Sequence, residues 1–412
     1  MPSAFMDANK LSGVTEKTDS EAVVFIFDSH PIQYKAPIYQ ELERIRPGRC
    51  HVIYATDLPV RGLRDPDFDR VIAWDTPLLE GYPHTVLANE RGTPLAGFRS
   101  LTGHGIFECL KKARPKAVLL SQFLYAFDFT TYVSCLRLGI PIWIRHETQD
   151  EAFARPAWKR VLRHAFYRLA YAGVSHAFAI GELNREHLLR HGVPENRLSF
   201  AHYCTPVRAN IGTATQRQWR EAVRMRLKIG EDQTLLLFSG KLIEKKNPGL
   251  ILEALRHLSA EERERFQIVF VGSGPLEKSL RDDAKAFPDR VHFMGFVNQS
   301  EISQFYAAAD ILLLPSRRMG ETWGLVVNEA LQAGGGVVMT DAVGCHREFG
   351  AWERVRVIAE EDAPGCARAI RELSRPPRSF DWCAKAMQAY SVEAAATALA
   401  RQIDLVESNA IS

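Results

Sequence analysis

Two carboxylates spaced eight positions apart are the first residues of this sequence that suggest chemistry. Glu321 and Glu329 lie in MGETWGLVVNE, the first beside glycines and the second within an apolar, helical run. The strand-like segment DILLLPS precedes them, which places Glu321 in the loop after a strand and Glu329 in the next helix, 325–333. Backbone amides at such a helix start attract phosphate oxygens. The pair could hold hydroxyls on either side of a phosphate group, or Glu321 could be a helix N-terminal acid and Glu329 a partly buried ion-pair partner.

Lysines follow another strand-like segment, TLLLFSGKLIEKKNP. Gly240 stands at a sharp turn, Lys241 follows directly, and Lys245 and Lys246 precede the next helix. A compact ammonium can offset charge on diphosphate oxygens from several directions. The alternative is that these lysines are solvated loop residues.

A second glycine pair occurs in QIVFVGSGPL. Gly272 and Gly274 permit close backbone approach before a helix. Pro275 and the residues after it break the GxGxxG dinucleotide fingerprint, so an enzyme that uses a nicotinamide cofactor is disfavoured.

Metal sites and disulfides find little support. Asp65 and Asp67 in RDPDFD spell a DXD, but they lie in the first half of the chain, away from the basic loops, and are interpreted as structural. Cys345 and His346 have no third or fourth ligand at suitable spacing. The seven cysteines are scattered and never form CxxC, which favours a reducing cytosol. No metal and no cofactor are expected.

Composition indicates an ordinary globular chain. Its 412 residues are 46% hydrophobic and 25% charged, enough for two domains with separate cores. A net charge of +3 gives no support to a nucleic-acid partner. The polar N-terminus lacks a signal core, and no apolar run reaches the roughly 18 residues that span a bilayer. Residues 1–20 are expected to be a disordered leader and the protein to be cytoplasmic.

Strands alternate with helices twice along the chain, which predicts an α/β protein with two doubly wound, Rossmann-like domains and parallel sheets. The expected divisions are an N-terminal domain at 21–205, a C-terminal domain at 206–385, and a terminal helix at 386–412 that packs back toward the first domain. Ligands of such sheets bind beyond the carboxyl ends of the strands.

Several motifs together resemble the retaining glycosyltransferases of family 4, also called group 1, which have the GT-B fold with two sheets facing across a cleft. FSGKLIEKKNP is similar to that family's phosphate loop. VFVGSGPLEKSL, VHFMGFV and ADILLLPSRRMGETWGLVVNEALQAGGGVVMTDAVGC are similar to its nucleotide-sugar domain, including its EX7E motif. HPIQYKAP at 30–37 and AWDTPLLEGY at 73–82 resemble a bacterial, HPIQY-type subgroup.

The resemblance implies roles for individual residues. Lys241 and Lys246 would bind the donor diphosphate, Glu321 the donor sugar and Glu329 the ribose. Phe296 and Val297 would lie near the base. The implied catalytic residues are Glu321, His146 and Lys246, and the implied donor-binding residues are Gly240, Lys241, Lys246, Gly272, Gly274, Phe296, Val297, Glu321, Thr322, Trp323, Gly324, Leu325 and Glu329. Two positions depart from relatives, since many have arginine at position 241 and the subgroup often has glycine at position 146.

The implied function is metal-independent, retaining transfer of a hexose-like sugar from a nucleoside diphosphate sugar to a hydroxyl of a saccharide, a lipid-linked or a small-molecule acceptor. The family is thought to use front-face attack, in which the leaving phosphate takes the acceptor's proton. Two alternatives stay open. One is a GT-B sugar-nucleotide epimerase or hydrolase, and the other is a sugar-nucleotide-binding protein without catalysis.

Acceptor contacts are expected from loops of the first domain. The candidate residues are His30, Gln33, Tyr34, Arg145 and Glu147. The basic segment 155–169, RPAWKRVLRHAFYRL, could lie on an anionic membrane surface at its inner face. In the alternative, its basic face is solvated and Val161, Leu162 and Phe166 pack on their own domain.

Overall fold

Long apolar runs of the sequence form buried strands. The computed structural model describes residues 22–408 except 62, 66–69, 73–76, 92–96, 207–211 and 376–377. The leader at 1–20 and Asp67 therefore lie outside the described residues. The described strands are β1 Val24–Asp28, β2 Cys50–Tyr54, β3 Leu63–Asp65, β4 Arg70–Ile72, β5 His84–Val86, β6 Ala117–Leu120, β7 Ile142–Ile144, β8 Val174–Ala179, β9 Leu198–Phe200, β10 Thr234–Ser239, β11 Phe266–Val271, β12 Val291–Gly295, β13 Ile311–Leu314, β14 Gly336–Thr340 and β15 Val355–Ile358.

Two parallel sheets confirm the predicted fold class. The first has the order β5-β2-β1-β6-β7-β8-β9 and the second the order β12-β11-β10-β13-β14-β15. β3 and β4 form a separate antiparallel pair. The strand order reverses between β1 and β6 in the first sheet and between β10 and β13 in the second. Ligands of open α/β sheets bind at these switch points.

Helices cover both faces of each sheet. They are α1 Ala36–Ile45, α2 Leu58–Arg61, α3 Ile106–Ala113, α4 Ala126–Leu138, α5 Ala157–Ala172, α6 Glu182–Arg190, α7 Thr213–Arg226, α8 Gly249–Arg256, α9 Ala260–Arg263, α10 Glu277–Ala284, α11 Gln299–Ala308, α12 Leu325–Gln332, α13 His346–Phe349, α14 Ala363–Leu373, α15 Ala384–Met387 and α16 Val392–Ser408. Short 3-10 turns lie at Phe98–Ser100, Glu195–Arg197, Glu244–Lys246 and Gln388–Tyr390.

Each sheet separates two cores because successive strand side chains point to opposite faces. In β1, Phe25 and Phe27 enter one core while Val24 and Ile26 enter the other. The β10 residues divide in the same way between the cores of the second sheet. All seven cysteines are buried and unpaired.

The terminal helix α16 packs on the first sheet's side of the molecule. Its residues Val392, Ala396 and Leu399 are buried in the core that contains Val24 and Ile26. Arg46, which directly follows α1, and Asp404 of α16 form an ion pair of 2.6 Å. The chain therefore returns to the first sheet after completing the second.

Candidate active site

The loops after β10 and β13 meet at the switch point of the second sheet. Lys246 Nζ lies 2.6 Å from Glu321 Oε2, and Ser316 Oγ donates to the same oxygen at 3.2 Å. Lys245 Nζ donates to the carbonyl of Gly320 at 2.7 Å. The fold thus joins the two basic residues and the loop carboxylate that stand far apart in the sequence.

Glu321 is a buried carboxylate that stays charged. It is 7% exposed, and burial alone would raise its pKa. The nearby charges of Lys246 and Lys245 and the hydrogen bonds from Lys246 and Ser316 outweigh burial and lower the pKa. An ionised carboxylate accepts hydrogen bonds and cannot donate a proton, so Glu321 is suited to accept hydrogen bonds from hydroxyl groups.

The glycines of the neighbouring loops pack against one another. A Cβ at Gly272 would lie 1.9 Å from the Gly240 carbonyl oxygen, and one at Gly274 would lie 2.6 Å from the Leu242 carbonyl oxygen. Gly272 also has a φ of +133°. These positions therefore require glycine because two backbone segments touch, which explains the GxG without any ligand.

The start of α12 is fixed by its glycine and a buried indole. Gly324 has a φ of +96°, and a Cβ there would meet Val343 at 2.7 Å. The Trp323 side chain is 4% exposed and its Nε1 donates to Asn328 at 2.8 Å. Any contact of Trp323 with a nucleotide-sugar donor would thus come from its backbone. Thr322 and Leu325 flank this turn and are half-buried.

Glu329 faces a cavity between the two sheets. Tyr306 donates its hydroxyl to Glu329 Oε2 at 2.5 Å, and Ser239 Oγ lies 3.0 Å from the same hydroxyl. Burial and the charge of Glu329 raise the pKa of Tyr34, a residue of the first half of the chain that packs on the second core. The carboxylate is therefore held by one aromatic hydroxyl and approached by another.

The cavity beside Glu329 has a volume of about 320 Å³. Gln33 lines it, is 8% exposed, and has an Oε1 without a hydrogen-bond partner among the described residues. Pro37 and Trp219 add apolar walls. A neutral, flat, polar group would fit this lining.

The other predicted donor residues lie around the same strand ends. Lys241 follows Gly240 directly after β10 and is half-buried. Phe296 and Val297 follow β12, and Val297 packs on the core that contains Val327 of α12. They are placed near the sheet edge that also carries Gly272.

Across the cleft, the loop 146–153 of the first sheet contacts the loop that carries Glu321. Gly320 N donates to the Ala152 carbonyl at 2.8 Å, and Thr322 Oγ1 donates to Glu147 Oε2 at 2.8 Å. Phe153 and Met319 form an isolated β-bridge. The two halves of the candidate site therefore touch directly.

His146 lies at the start of that loop and is buried. Its Nε2 is 3.0 Å from the Tyr171 hydroxyl, and its Nδ1 accepts from the Thr148 backbone N–H at 3.3 Å. Burial lowers the pKa of His146 to about 3. The ring is neutral near pH 7, and protein groups engage both of its nitrogens.

The remaining acceptor-side residues lie at other strand ends of the first sheet. His30 follows β1, and Ser29 Oγ lies 2.9 Å from its Nδ1. Arg145 donates to the carbonyls of Ala201 and His202 at 3.1 and 3.0 Å, so its guanidinium also ties strand ends together.

Sequence reasoning missed Asp28, which organises the end of β1. This fully buried carboxylate accepts from Lys35 Nζ at 2.9 Å, Ser121 Oγ at 2.7 Å and the Tyr39 hydroxyl at 3.0 Å. Its position at a strand tip was the available signal. It holds Lys35, which directly follows HPIQY, and Tyr39 of α1 against the end of β1.

A group of possible metal ligands lies beside His146. One ligand atom each from Asp150, His187 and His191 falls within 4.8 Å of the others. Arg190 Nη1 also donates to Asp150 Oδ2 at 2.7 Å, so a cationic side chain already occupies one carboxylate oxygen.

Helix α5 turns apolar side chains toward solvent. Val161, Leu162 and Phe166 are 67%, 62% and 42% exposed, so the alternative that packs them on their own domain is wrong. Trp158 and Leu169 are 61% and 78% exposed and share that helical face. Tyr167, Ala170 and Tyr171 form the buried side instead. In the described part of the chain, the helices are too short or too polar to span a membrane.

Sequence comparison finds that the part of the chain carrying the second sheet is similar to a known family. Residues 220–389, which are less than half of the chain, match the model of Glycosyl transferases group 1. An uncharacterised glycosyltransferase of Methanocaldococcus jannaschii is 32% identical over 143 residues, 32% of this chain and 36% of that protein. A D-inositol 3-phosphate glycosyltransferase of Geodermatophilus obscurus is 34% identical over 135 residues, 30% of this chain and 29% of that protein. The matched part thus spans about a third of these relatives.

Structural comparison covers both sheets. Anabaena HepE, crystallised with UDP and glucose, matches with a TM-score of 0.64 and 14% identity over 93% of this chain and 100% of that chain. A putative UDP-N-acetylglucosamine 2-epimerase from Listeria monocytogenes matches with a TM-score of 0.59 and 16% identity over 92% of this chain and 94% of that chain. These likenesses establish the GT-B fold, which transferases and epimerases share.

Proposed function

We propose that the protein is a retaining glycosyltransferase that transfers a hexose from a nucleoside diphosphate sugar to an acceptor hydroxyl without a metal ion. The observation that carries this proposal is the Lys246–Glu321 pair at the switch point of the second sheet, in a loop that the first sheet contacts directly. The group 1 match of residues 220–389 supports it. Membership of the HPIQY-type subgroup is part of the proposal.

The nucleoside end of the donor would lie in the cavity beside Glu329. Its ribose hydroxyls would donate to the Glu329 carboxylate, which Tyr306 orients. The base would enter the uncharged lining that contains Gln33 and Trp219. Phe296 and Val297 would border the base from the end of β12. Uridine is the first base to test, because HepE was crystallised with UDP.

The diphosphate would lie between the nucleoside cavity and Glu321. Lys241, Lys246 and the backbone amides of 322–325 would offset the charge that develops on the leaving oxygens, where preorganised groups stabilise a transition state most. Glu321, kept ionised by Lys246 and Lys245, would accept from sugar hydroxyls and position the ring. In front-face transfer, the leaving phosphate oxygen takes the acceptor's proton. The glycosidic bond then forms on the face that the leaving group vacates, and the anomeric configuration is retained.

The acceptor would approach from loops of the first sheet. The candidate residues for its contacts are His30, Gln33, Tyr34, Arg145 and Glu147, and Glu147 already contacts Thr322. Saccharide, lipid-linked and small-molecule hydroxyls all fit this part of the proposal. D-inositol 3-phosphate belongs in the test panel because relatives are named for it.

The exposed face of α5 would lie on an anionic membrane surface. Trp158, Val161, Leu162 and Leu169 share this face, and Lys159 and Arg168 flank it. Apolar residues flanked by basic ones are typical of interfacial helices. The rings of Phe166, Phe129 and Phe98 continue the surface, with centroid distances of 6.1 and 5.4 Å. Such a face would bring a lipid-linked acceptor to the cleft.

The testing experiment incubates the protein with UDP-, ADP- and GDP-sugars, with and without extracted lipids, saccharides and D-inositol 3-phosphate. Acceptor-dependent release of nucleoside diphosphate is expected. An isomerised donor sugar would instead indicate an epimerase, and release without an acceptor would indicate a hydrolase. Binding of a donor without any turnover would indicate a non-catalytic protein and would overturn the proposal.

A further inference from the structure

Four side chains next to the candidate site form a continuous hydrogen-bonded chain. His146 Nε2 lies 3.0 Å from the Tyr171 hydroxyl, which lies 2.9 Å from His187 Nε2. His187 Nδ1 lies 2.9 Å from Asp150 Oδ1. His146, Tyr171 and His187 are all buried, and the chain passes through helices α5 and α6.

A single backbone N–H fixes the direction of this chain. Thr148 N–H donates to His146 Nδ1, so the neutral His146 ring must carry its proton on Nε2. That proton is donated to the Tyr171 oxygen, and the Tyr171 hydroxyl then donates to His187 Nε2. His187 therefore carries its proton on Nδ1 and donates it to Asp150. Burial lowers the pKa of His146 to about 3 and that of His187 to about 4, in agreement with two neutral rings.

The fixed direction argues against a metal ion on Asp150, His187 and His191. A metal bound at His187 Nδ1 would move the proton of His187 to Nε2 and reverse every donor in the chain. His146 would then present an N–H toward the Thr148 N–H, and that hydrogen bond would be lost. Arg190 and Arg163 also approach Asp150, at 2.7 and 3.6 Å, and would repel a cation.

Both ends of the hydrogen-bonded chain belong to one loop. His146 and Asp150 lie in the loop 146–153, and Tyr171 and His187 attach that loop to the first sheet's helices. The loop's far side contacts the loop of Glu321 through Ala152 and Gly320. Arg318 Nη1 adds a hydrogen bond of 3.0 Å to the Glu151 carbonyl. A shift of the loop would therefore move the wall that faces Glu321.

We infer that Tyr171, His187 and Asp150 are positioning residues that clamp loop 146–153 against the loop of Glu321 and hold His146 as a neutral ring protonated on Nε2. The inference deepens the proposed transferase function and rests on it. His146 then shapes the site as a fixed group and does not serve as its general base, because neither ring nitrogen is available to a substrate.

The test compares wild type with Tyr171→Phe, using Tyr132→Phe as the matched control. The Tyr132 hydroxyl of α4 donates to the Ala170 carbonyl of α5, the helix that carries Tyr171. The control therefore also removes a hydroxyl that is bonded to α5, but Tyr132 lies outside the hydrogen-bonded chain. Two-bond proton–nitrogen spectra of histidine-labelled protein report the tautomer of each ring, and His146→Gln assigns the His146 signals. Asp150→Asn is a second variant in case Tyr171→Phe does not fold.

Wild type is expected to show His146 protonated on Nε2 and His187 protonated on Nδ1, with no change on adding zinc chloride. Tyr171→Phe should shift the His146 signals and lower kcat by about fivefold to tenfold, the effect of one buried hydrogen bond, with donor KM little changed. Tyr132→Phe should neither shift the His146 signals nor lower kcat. The opposite tautomers, a zinc-induced shift at His187, or an unchanged kcat in Tyr171→Phe would overturn the inference. If no transfer is detected in wild type, the proposed function fails while the spectra still decide the direction of the chain.

Discussion

Lys246 Nζ lies 2.6 Å from Glu321 Oε2, and this ion pair joins the loops that follow β10 and β13. Both side chains are mostly buried, so water screens their attraction only weakly. The pair places a negative and a positive side chain next to each other at the switch point of the second sheet. The charge of Lys246 helps to keep Glu321 ionised despite its burial.

Removing one member of the pair is expected to destabilise the fold more than removing both. Lys246→Met leaves Glu321 buried without its main partner and should cost about 3 kcal/mol of unfolding free energy. Lys246→Met combined with Glu321→Gln should cost clearly less. Urea denaturation of the single and double variants measures this, with the exposed Lys278→Met as control. Costs that simply add would show that the two charges are not coupled.

Glu329→Gln is expected to weaken nucleotide binding by about tenfold, because a charged hydrogen-bond acceptor is lost. Calorimetric titration with UDP, ADP and GDP measures the dissociation constants. Tyr306→Phe removes the hydroxyl that orients Glu329 and should have a smaller effect in the same direction. Equal affinity in wild type and Glu329→Gln would remove Glu329 from the nucleotide site.

The membrane surface of α5 can be tested with two residues of equal exposure. Leu169 and Met225 are 78% and 79% exposed, but Met225 lies on α7 of the second half. Leu169→Ser should reduce binding to anionic vesicles by about tenfold, since it removes one buried leucine from the interface. Met225→Ser should leave binding unchanged, and sedimentation with phosphatidylglycerol vesicles measures both. Equal effects, or self-association that depends on Leu169 without vesicle binding, would contradict a lipid partner.

Acid is expected to destabilise the protein through its buried histidines. Burial lowers the pKa of His51, His176, His187 and His202 to about 4 and that of His146 to about 3. The usual value of about 6.5 applies in the unfolded chain, which therefore binds more protons between about pH 6.5 and 4. Its excess protons make the unfolding free energy fall as pH falls.

Two carboxyls oppose this trend, since burial raises the pKa of Asp128 and Glu348 to about 7. The five histidines outnumber the two carboxyls, so the unfolding free energy still falls as pH falls. Urea denaturation at a series of pH values from 7 to 5 measures the slope of the unfolding free energy against pH. His176→Gln should reduce the slope by about one proton, while His257→Gln, at an exposed position, should not. Stability that rises on acidification would contradict the neutral state of these rings.

The sequence predicted the central strands because they are buried on both faces and read as continuous apolar runs. It missed the edge strands β5 and β9, whose residues are half-buried, and β15, in which only the first and last residues are buried. Local pattern could place Glu321 after a strand, but only the sheet order brings Lys246 to it. Residues far apart in the chain meet because β10 and β13 are neighbours.

The GxG segment and α5 show what pattern reasoning could not supply. Gly272 has a packing role that the pattern does not reveal, because a glycine is needed there to clear the Gly240 carbonyl. In α5, periodicity alone cannot say which of two apolar faces is buried, and the fold buries Tyr167 and Tyr171 instead of Leu162 and Phe166. The chain from His146 to Asp150 spans a loop and two helices and has no sequence signature.

Acceptor-dependent release of nucleoside diphosphate by wild type and Glu321→Gln, measured side by side, tests the central claim most directly. The substitution keeps the size of the side chain and removes the charge that would hold the sugar hydroxyls. Glu321→Gln is expected to lower kcat by about 100-fold, with the nucleotide dissociation constant little changed because Glu329 is intact. Full transfer activity in Glu321→Gln would contradict the account.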